Sequence, residues 1–265
     1  MVYAEENLAI RQKIGDLDGE AFAFYMMAEA EYLQGNSCRA IELWEASQRG
    51  FKVIENNEFA LLFSSLPTRI AITQGDYNRA FELSEALLAA GKEISSSLVI
   101  AEALGNLCWS AWALKEYDQI ARLCEEALGP DWENNLPCGR GTLLYVFGRV
   151  VLSQGKYAQV CSYLKHFGTI GVVEKFLSIQ ALGILVATRK QDRRAAVLFG
   201  ALDQRCSWLK NVSSPSERAE YEQALTSVRT ALGEAAFATA WAEGHALTTE
   251  QVMEMARTIA EEPNA

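Results

Sequence analysis

Apolar residues recur three and four positions apart through most of the chain, and the phrase they form is written more than once. GDYNRAFELSEALLAAG begins at Gly75, KEYDQIARLCEEALG at Lys115 and GKYAQVCSYLKHFG at Gly155. Aligned on the turn residue, Gly35, Gly75, Lys115 and Gly155 fall forty residues apart. Seven positions before the turn stand Ala28, Thr68, Cys108 and Gly148, all small, as close helix packing requires. Five positions after it stand Ala40, Ala80, Ile120 and Val160, and eight after it Leu43, Leu83, Leu123 and Tyr163. Each unit therefore reads as a helix, a tight turn and a second amphipathic helix.

A lone helical hairpin cannot hide its apolar faces, whereas a stack of them can. The pattern predicts an all-α fold, an α-solenoid of stacked helix-turn-helix repeats with a C-terminal helical cap. Residues 1–20 read as the second helix of a truncated preceding repeat, or alternatively as a native N-terminal capping helix, 21–210 as five hairpins and 211–265 as a three-helix cap, all one continuous domain. In the fifth hairpin Gln191 takes the turn and Ala196 the small position. Pro67 falls inside a first helix, which must kink or start late. GPDWENNLPCGRG, Gly129 to Gly141, reads as the longest loop. In the tail, Ser214-Pro215-Ser216-Glu217 is a capping box opening a helix that runs to about Leu232 and stops at Gly233. A short helix should end at Gly244, and Thr248 should open the last one.

The sequence of small residue, glycine, aromatic and alanine, as in Gly75, Tyr77 and Ala80, resembles the tetratricopeptide repeat between roughly Phe22 and Cys206. The forty-residue period exceeds the family's ~34. RRAAVLFGALDQRC, followed by PSERAEYEQALTSVRTALGEAAFATAWAEGHALTTEQVMEMA, resembles the C-terminal region of bacterial STAND-ATPase and LuxR-type signalling regulators, the MalT-like class. These resemblances imply a right-handed solenoid acting as a sensor or partner-docking arm. The chain has no GxxxxGK[ST] loop and no basic recognition helix, so ATP hydrolysis and DNA binding do not carry over.

A formal charge of −10 disfavours direct contact with nucleic acid. The longest apolar run, near Ala181 to Ala187, is too short to span a membrane, and no leader pattern opens the chain. Together these give the expectation of a cytoplasmic protein with no membrane association. The six cysteines form no CxxC pair, and the two histidines, His166 and His245, lie far apart along the chain. The expectation is therefore no enzyme, no catalytic residue, no metal and no cofactor.

Binding chemistry has a better candidate. On the first helix of each unit, the face turned away from Leu104, Leu107, Cys108 and Ala111, and from Leu144, Phe147, Gly148 and Val151, carries Tyr25, Glu29, Tyr32, Arg69, Trp109, Trp112, Tyr145 and Arg149. Arginine forks among phenol and indole rings suit a protein, a peptide or a small-molecule inducer held in a concave groove. Equally, the rings can pack on the next repeat while the arginines pair with neighbouring carboxylates. The leading expectation is a non-catalytic recognition module, the C-terminal sensor arm of a bacterial signal-transduction ATPase or transcriptional regulator. The alternative is a stand-alone scaffold for protein assembly, with self-association through the N-terminal end.

Overall fold

Residues 2–114, 116, 142, 143, 145, 146, 149 and 172–261 are described in a computed structural model, and every regular element among them is helical. Helices α1 (Val2–Ile14), α2 (Leu17–Gln34), α3 (Ser37–Val53) and α4 (Asn57–Leu62) are followed by a 3₁₀ turn (Phe63–Ser65). Next come α5 (Leu66–Gln74), α6 (Tyr77–Glu93) and α7 (Ser97–Ala113). Thr142, Leu143, Tyr145, Val146 and Arg149 have helical backbone. The chain continues with α8 (Val172–Thr188), α9 (Asp192–Arg205), α10 (Leu209–Val212), α11 (Pro215–Leu232), α12 (Glu234–Ala246) and α13 (Thr249–Glu261). The expectations for Lys115, Gly155, Ile120, Leu123, Val160, Tyr163, His166, Leu144, Phe147, Gly148, Val151 and the loop at 129–141 lie outside the described residues.

Sequential helices pack in pairs, α2 on α3, α5 on α6, α6 on α7 and α8 on α9. The turns follow from glycine. Gly35 and Gly75 sit at φ +85° and +83°, a left-handed conformation that ends α2 and α5 and returns their amides to the preceding turn. Asp76 then caps α6 by accepting from the Arg79 amide at 3.3 Å. The small column is buried at Ala28, Thr68 and Cys108, and Ala40 and Ala80 are buried behind the turns. Leu43 is fully covered but Leu83 only half so.

Two boundaries move. Asp16 accepts from the Gly19 amide at 2.9 Å and pairs with Arg11, so the second helix starts at Leu17 and the first element ends well before residue 20. Pro67 acts as a helix starter: α4 breaks into the 3₁₀ turn, whose Phe63 carbonyl accepts from Trp44 Nε1 at 2.8 Å, and α5 begins with the proline in its first turn.

The tail does more than close one end. Val228, Phe237, Ala240, Val252, Ala256 and Ile259 join the large core of α8 and α9. Val212 packs into a second cluster with Met27, Ala28, Tyr32 and Leu66. Asn211 Nδ2 donates to the Leu33 carbonyl at 2.9 Å and lies against Gly35, while Pro215 lies against Gly75. The segment before α11 therefore crosses the turns of the first two hairpins.

The capping box at Ser214 and Glu217 forms as expected, and Thr248 and Gln251 form another: the Thr248 amide donates to Gln251 at 2.7 Å and the reverse bond spans 3.2 Å. Gly244 does not end its helix, which continues to Ala246. Its role is close approach, because a Cβ there would strike the Val197 carbonyl on α9, and one on Gly200 would strike the Trp241 backbone on α12. Gly244→Ala and Gly200→Ala should each destabilise the fold by about 1–3 kcal/mol through overpacking. Urea denaturation measures this, and unchanged midpoints would show that α9 and α12 are free to separate.

Candidate functional site

Five segments meet in one polar and aromatic seam. Helix α2 contributes Tyr25, Glu29 and Tyr32, α5 contributes Arg69, α7 contributes Trp109 and Trp112, and Tyr145 and Arg149 come from the turns at 142–149. Opposite the last pair lies α11. All eight expected residues are on the seam, and contacts link them into two groups. They do not line an open cleft: Tyr32, Trp109, Trp112, Tyr145 and Arg149 are each at most 8 % exposed.

The first group centres on Arg69. It pairs with Glu29, one repeat period away, and its guanidinium lies over the Tyr32 ring at 5.0 Å. Tyr25 stacks on Phe63 at 4.2 Å. Burial raises the Tyr25 pKa well above its usual value, and the neighbouring Glu29 raises it further. Burial alone would weaken Arg69 as a base, but Glu29 and the two phenols hold it charged and push its pKa up.

The second group centres on Arg149. Its guanidinium covers the Trp112 indole at 4.8 Å and its Nη2 pairs with Glu220 on α11. Trp109 meets Tyr145 edge to face at 5.8 Å. Tyr145 donates to Glu217, a carboxylate only 1 % exposed that also accepts from the Ser214 amide at 2.7 Å. Burial, then Glu217, raises the Tyr145 pKa well above normal.

Between the two groups, Asn106 Nδ2 donates to the Glu102 carbonyl at 3.1 Å and to its carboxylate at 3.4 Å. Unused hydrogen-bonding capacity collects here. Trp109 Nε1, Trp112 Nε1, Arg69 Nε, Arg149 Nε and Asn106 Oδ1 are buried and without a partner among the described residues. Sealing such an atom costs about 1–3 kcal/mol each, so five along one seam is an unusual concentration.

Glu217, Glu220, Asn106 and Glu102 were not anticipated as seam residues. Glu217 was legible only as a helix starter. The Glu29 and Arg69 pairing did leave a trace, since opposite charges stand one period apart in the same column. Elsewhere, His245 sits 3.3 Å from Asp203 at an exposed helix end. Among the described residues no His, Cys, Asp and Glu group is arranged to hold a metal, and no helix is long and apolar enough to cross a membrane.

Raised tyrosine pKa values favour the neutral phenol in the folded state. Their stabilising effect is complete below about pH 10, where an unfolded tyrosine titrates, and is lost as pH climbs beyond it. Tyr145→Phe should therefore flatten the alkaline limb of the stability curve. At neutral pH it should cost about 1–3 kcal/mol, because buried Glu217 loses a donor. Denaturation followed between neutral and alkaline pH tests both, and an unchanged alkaline limb would contradict the assignment. No protein-family model matches the chain and no curated protein matches it.

Proposed function

We propose that the chain is a non-catalytic recognition module, a right-handed α-solenoid of tetratricopeptide-like hairpins holding an inducer or a protein segment on the seam. In this reading it is the cytoplasmic C-terminal sensor arm of a bacterial signalling ATPase or transcriptional regulator. Stacking of hairpins is supported by contacts close to one period in length, Arg69 with Glu29 and Ser96 with Glu58 at 2.8 Å. The observation that carries the binding proposal is the set of donors on Arg69, Trp109, Trp112 and Arg149 that are unpaired among the described residues, with an unpaired acceptor on Asn106. A recognition surface needs polar groups that the protein itself leaves unsatisfied, because these gain most when a ligand supplies the partner.

Truncating Trp112 and Arg149 together would confuse binding with folding, since both are buried in mutual contact. Trp109→Phe is the cleaner probe: it keeps an aromatic ring against Tyr145 and deletes one unpaired N–H. A ligand found by mass spectrometry of co-purifying molecules should raise the wild-type melting temperature, as any ligand selective for the native state must. The variant should fold and lose most of that rise. An undiminished rise would remove the seam as the site.

One observation favours the scaffold reading. Tyr3, Ile10, Ile14 and Leu17 are 87 %, 59 %, 67 % and 52 % exposed at the N-terminal end. If this face mediates assembly, light scattering should show concentration-dependent association that the double variant Ile10→Glu/Ile14→Glu abolishes. A chain monomeric at every concentration would remove that reading.

A further inference from the structure

Helix α11 is seated on the seam in an uncommon way. Of the eighteen residues from Pro215 to Leu232, only Glu217 and Val228 are buried. Val228 anchors the C-terminal half in the core, and Tyr221, further back, meets Phe199 edge to face at 5.0 Å. Besides Tyr221, which itself belongs to the N-terminal half, that half is held through polar contacts: Glu217 with Tyr145, Glu220 with Arg149, and Ser216 with Tyr77 at 3.4 Å. Its deepest side chain is a carboxylate.

Beneath these contacts the fit is chemically incomplete. Arg149, 3 % exposed, gives Nη2 to Glu220 and, among the described residues, leaves Nε–H without an acceptor; the indole N–H groups of Trp109 and Trp112 find none there either. A carboxylate can take two parallel bonds from a guanidinium fork, and among the described residues Glu220 takes one from Arg149. The helix satisfies the charge of Arg149 but not its geometry.

We propose that this part of the seam is a binding site for a ligand carrying two carboxylates about one helical turn apart, closed here by α11, whose Glu217 and Glu220 stand in for the ligand. The inference rests on the reading of the seam as a recognition surface. When the N-terminal half of α11 lifts, both carboxylates leave together. The wall left behind presents the Tyr145 hydroxyl, the Arg149 fork and two indole N–H groups, with one positive charge uncompensated. Such a surface selects an anionic acceptor and rejects a cation. An incoming carboxylate that engages Nε as well as Nη2 makes a bond that Glu220 does not, which allows it to compete with a tethered helix. At the other end Arg69 keeps Glu29, so the site is confined to the Arg149 group.

The test uses the full chain with Glu217→Gln and Glu220→Gln together. Glutamine preserves the capping box, so the helix start survives while its charges go. Probes are a synthetic peptide of residues 214–232, the same peptide carrying both glutamine substitutions, and glutarate. Readouts are calorimetry and the indole N–H resonances of Trp109 and Trp112, assigned by single Trp→Phe variants. The native peptide should bind the double variant at least about tenfold more tightly than the wild-type chain and shift both resonances. Arg149→Lys in the same background should weaken it by about tenfold, since lysine lacks the fork.

Glutarate alone moving the same resonances would support the site and identify the source as a small dicarboxylate. Equal binding of the two peptides, or binding that leaves the indoles unmoved, would overturn the proposal. If neutral molecules shift the indoles and neither carboxylate probe does, the carboxylate inference falls and the recognition reading stands; if nothing shifts them, both fall. Should the double variant fail to fold, Glu220→Gln alone keeps Glu217 in its buried cap, and the same outcomes decide.

Discussion

A pair of helices joined by a glycine turn carries more apolar surface than the pair can hide. Every later feature of this protein follows from that excess. Ala28, Thr68 and Cys108 let neighbouring helices approach, and Gly200 and Gly244 let α9 and α12 approach closer still. Neighbouring helices cover one another in pairs, and the tail adds cover from far along the chain.

The tail resolves one end in an unexpected direction. Instead of covering only the last hairpin, residues 209–217 pass Gly35 and Gly75, where any side chain would both strain the turn and meet Asn211 or Pro215. The crossing delivers Glu217 and Glu220 to Tyr145 and Arg149. A buried guanidinium needs a carboxylate, and here the carboxylate comes from 71 residues further along the chain. The seam thus couples the position of α11 to the chemistry of Tyr145 and Arg149.

That coupling is electrostatically unfinished. Arg69 and Arg149 each pair with a carboxylate, yet among the described residues each retains an unpaired Nε–H, and the two tryptophans have no acceptor. A purely structural seam of this composition gains by replacing such atoms with apolar ones. Their placement beside Tyr145 and Asn106 is what supports the proposal that the seam is a recognition surface.

Among the described residues, the sequence by itself determined most of the helices, their glycine turns and one buried face of each. Periodicity is a local property, and glycine at Gly35 and Gly75, the proline and serine at the start of α11, and the small column at Ala28, Thr68 and Cys108 each act within a few residues of where they stand. It also grouped all eight seam residues on one face, because residues a period apart on equivalent helices must align. Only the tertiary structure decided that this face is closed. Which carboxylate reaches Arg149, and that Glu217 is buried beneath Tyr145, depend on a long-range crossing of the tail, and no pattern within a helix encodes where a segment far along the chain comes to rest. The same holds for Gly244: glycine at a helix end and glycine at a helix crossing look alike in sequence, and only the nearness of the Val197 carbonyl tells them apart.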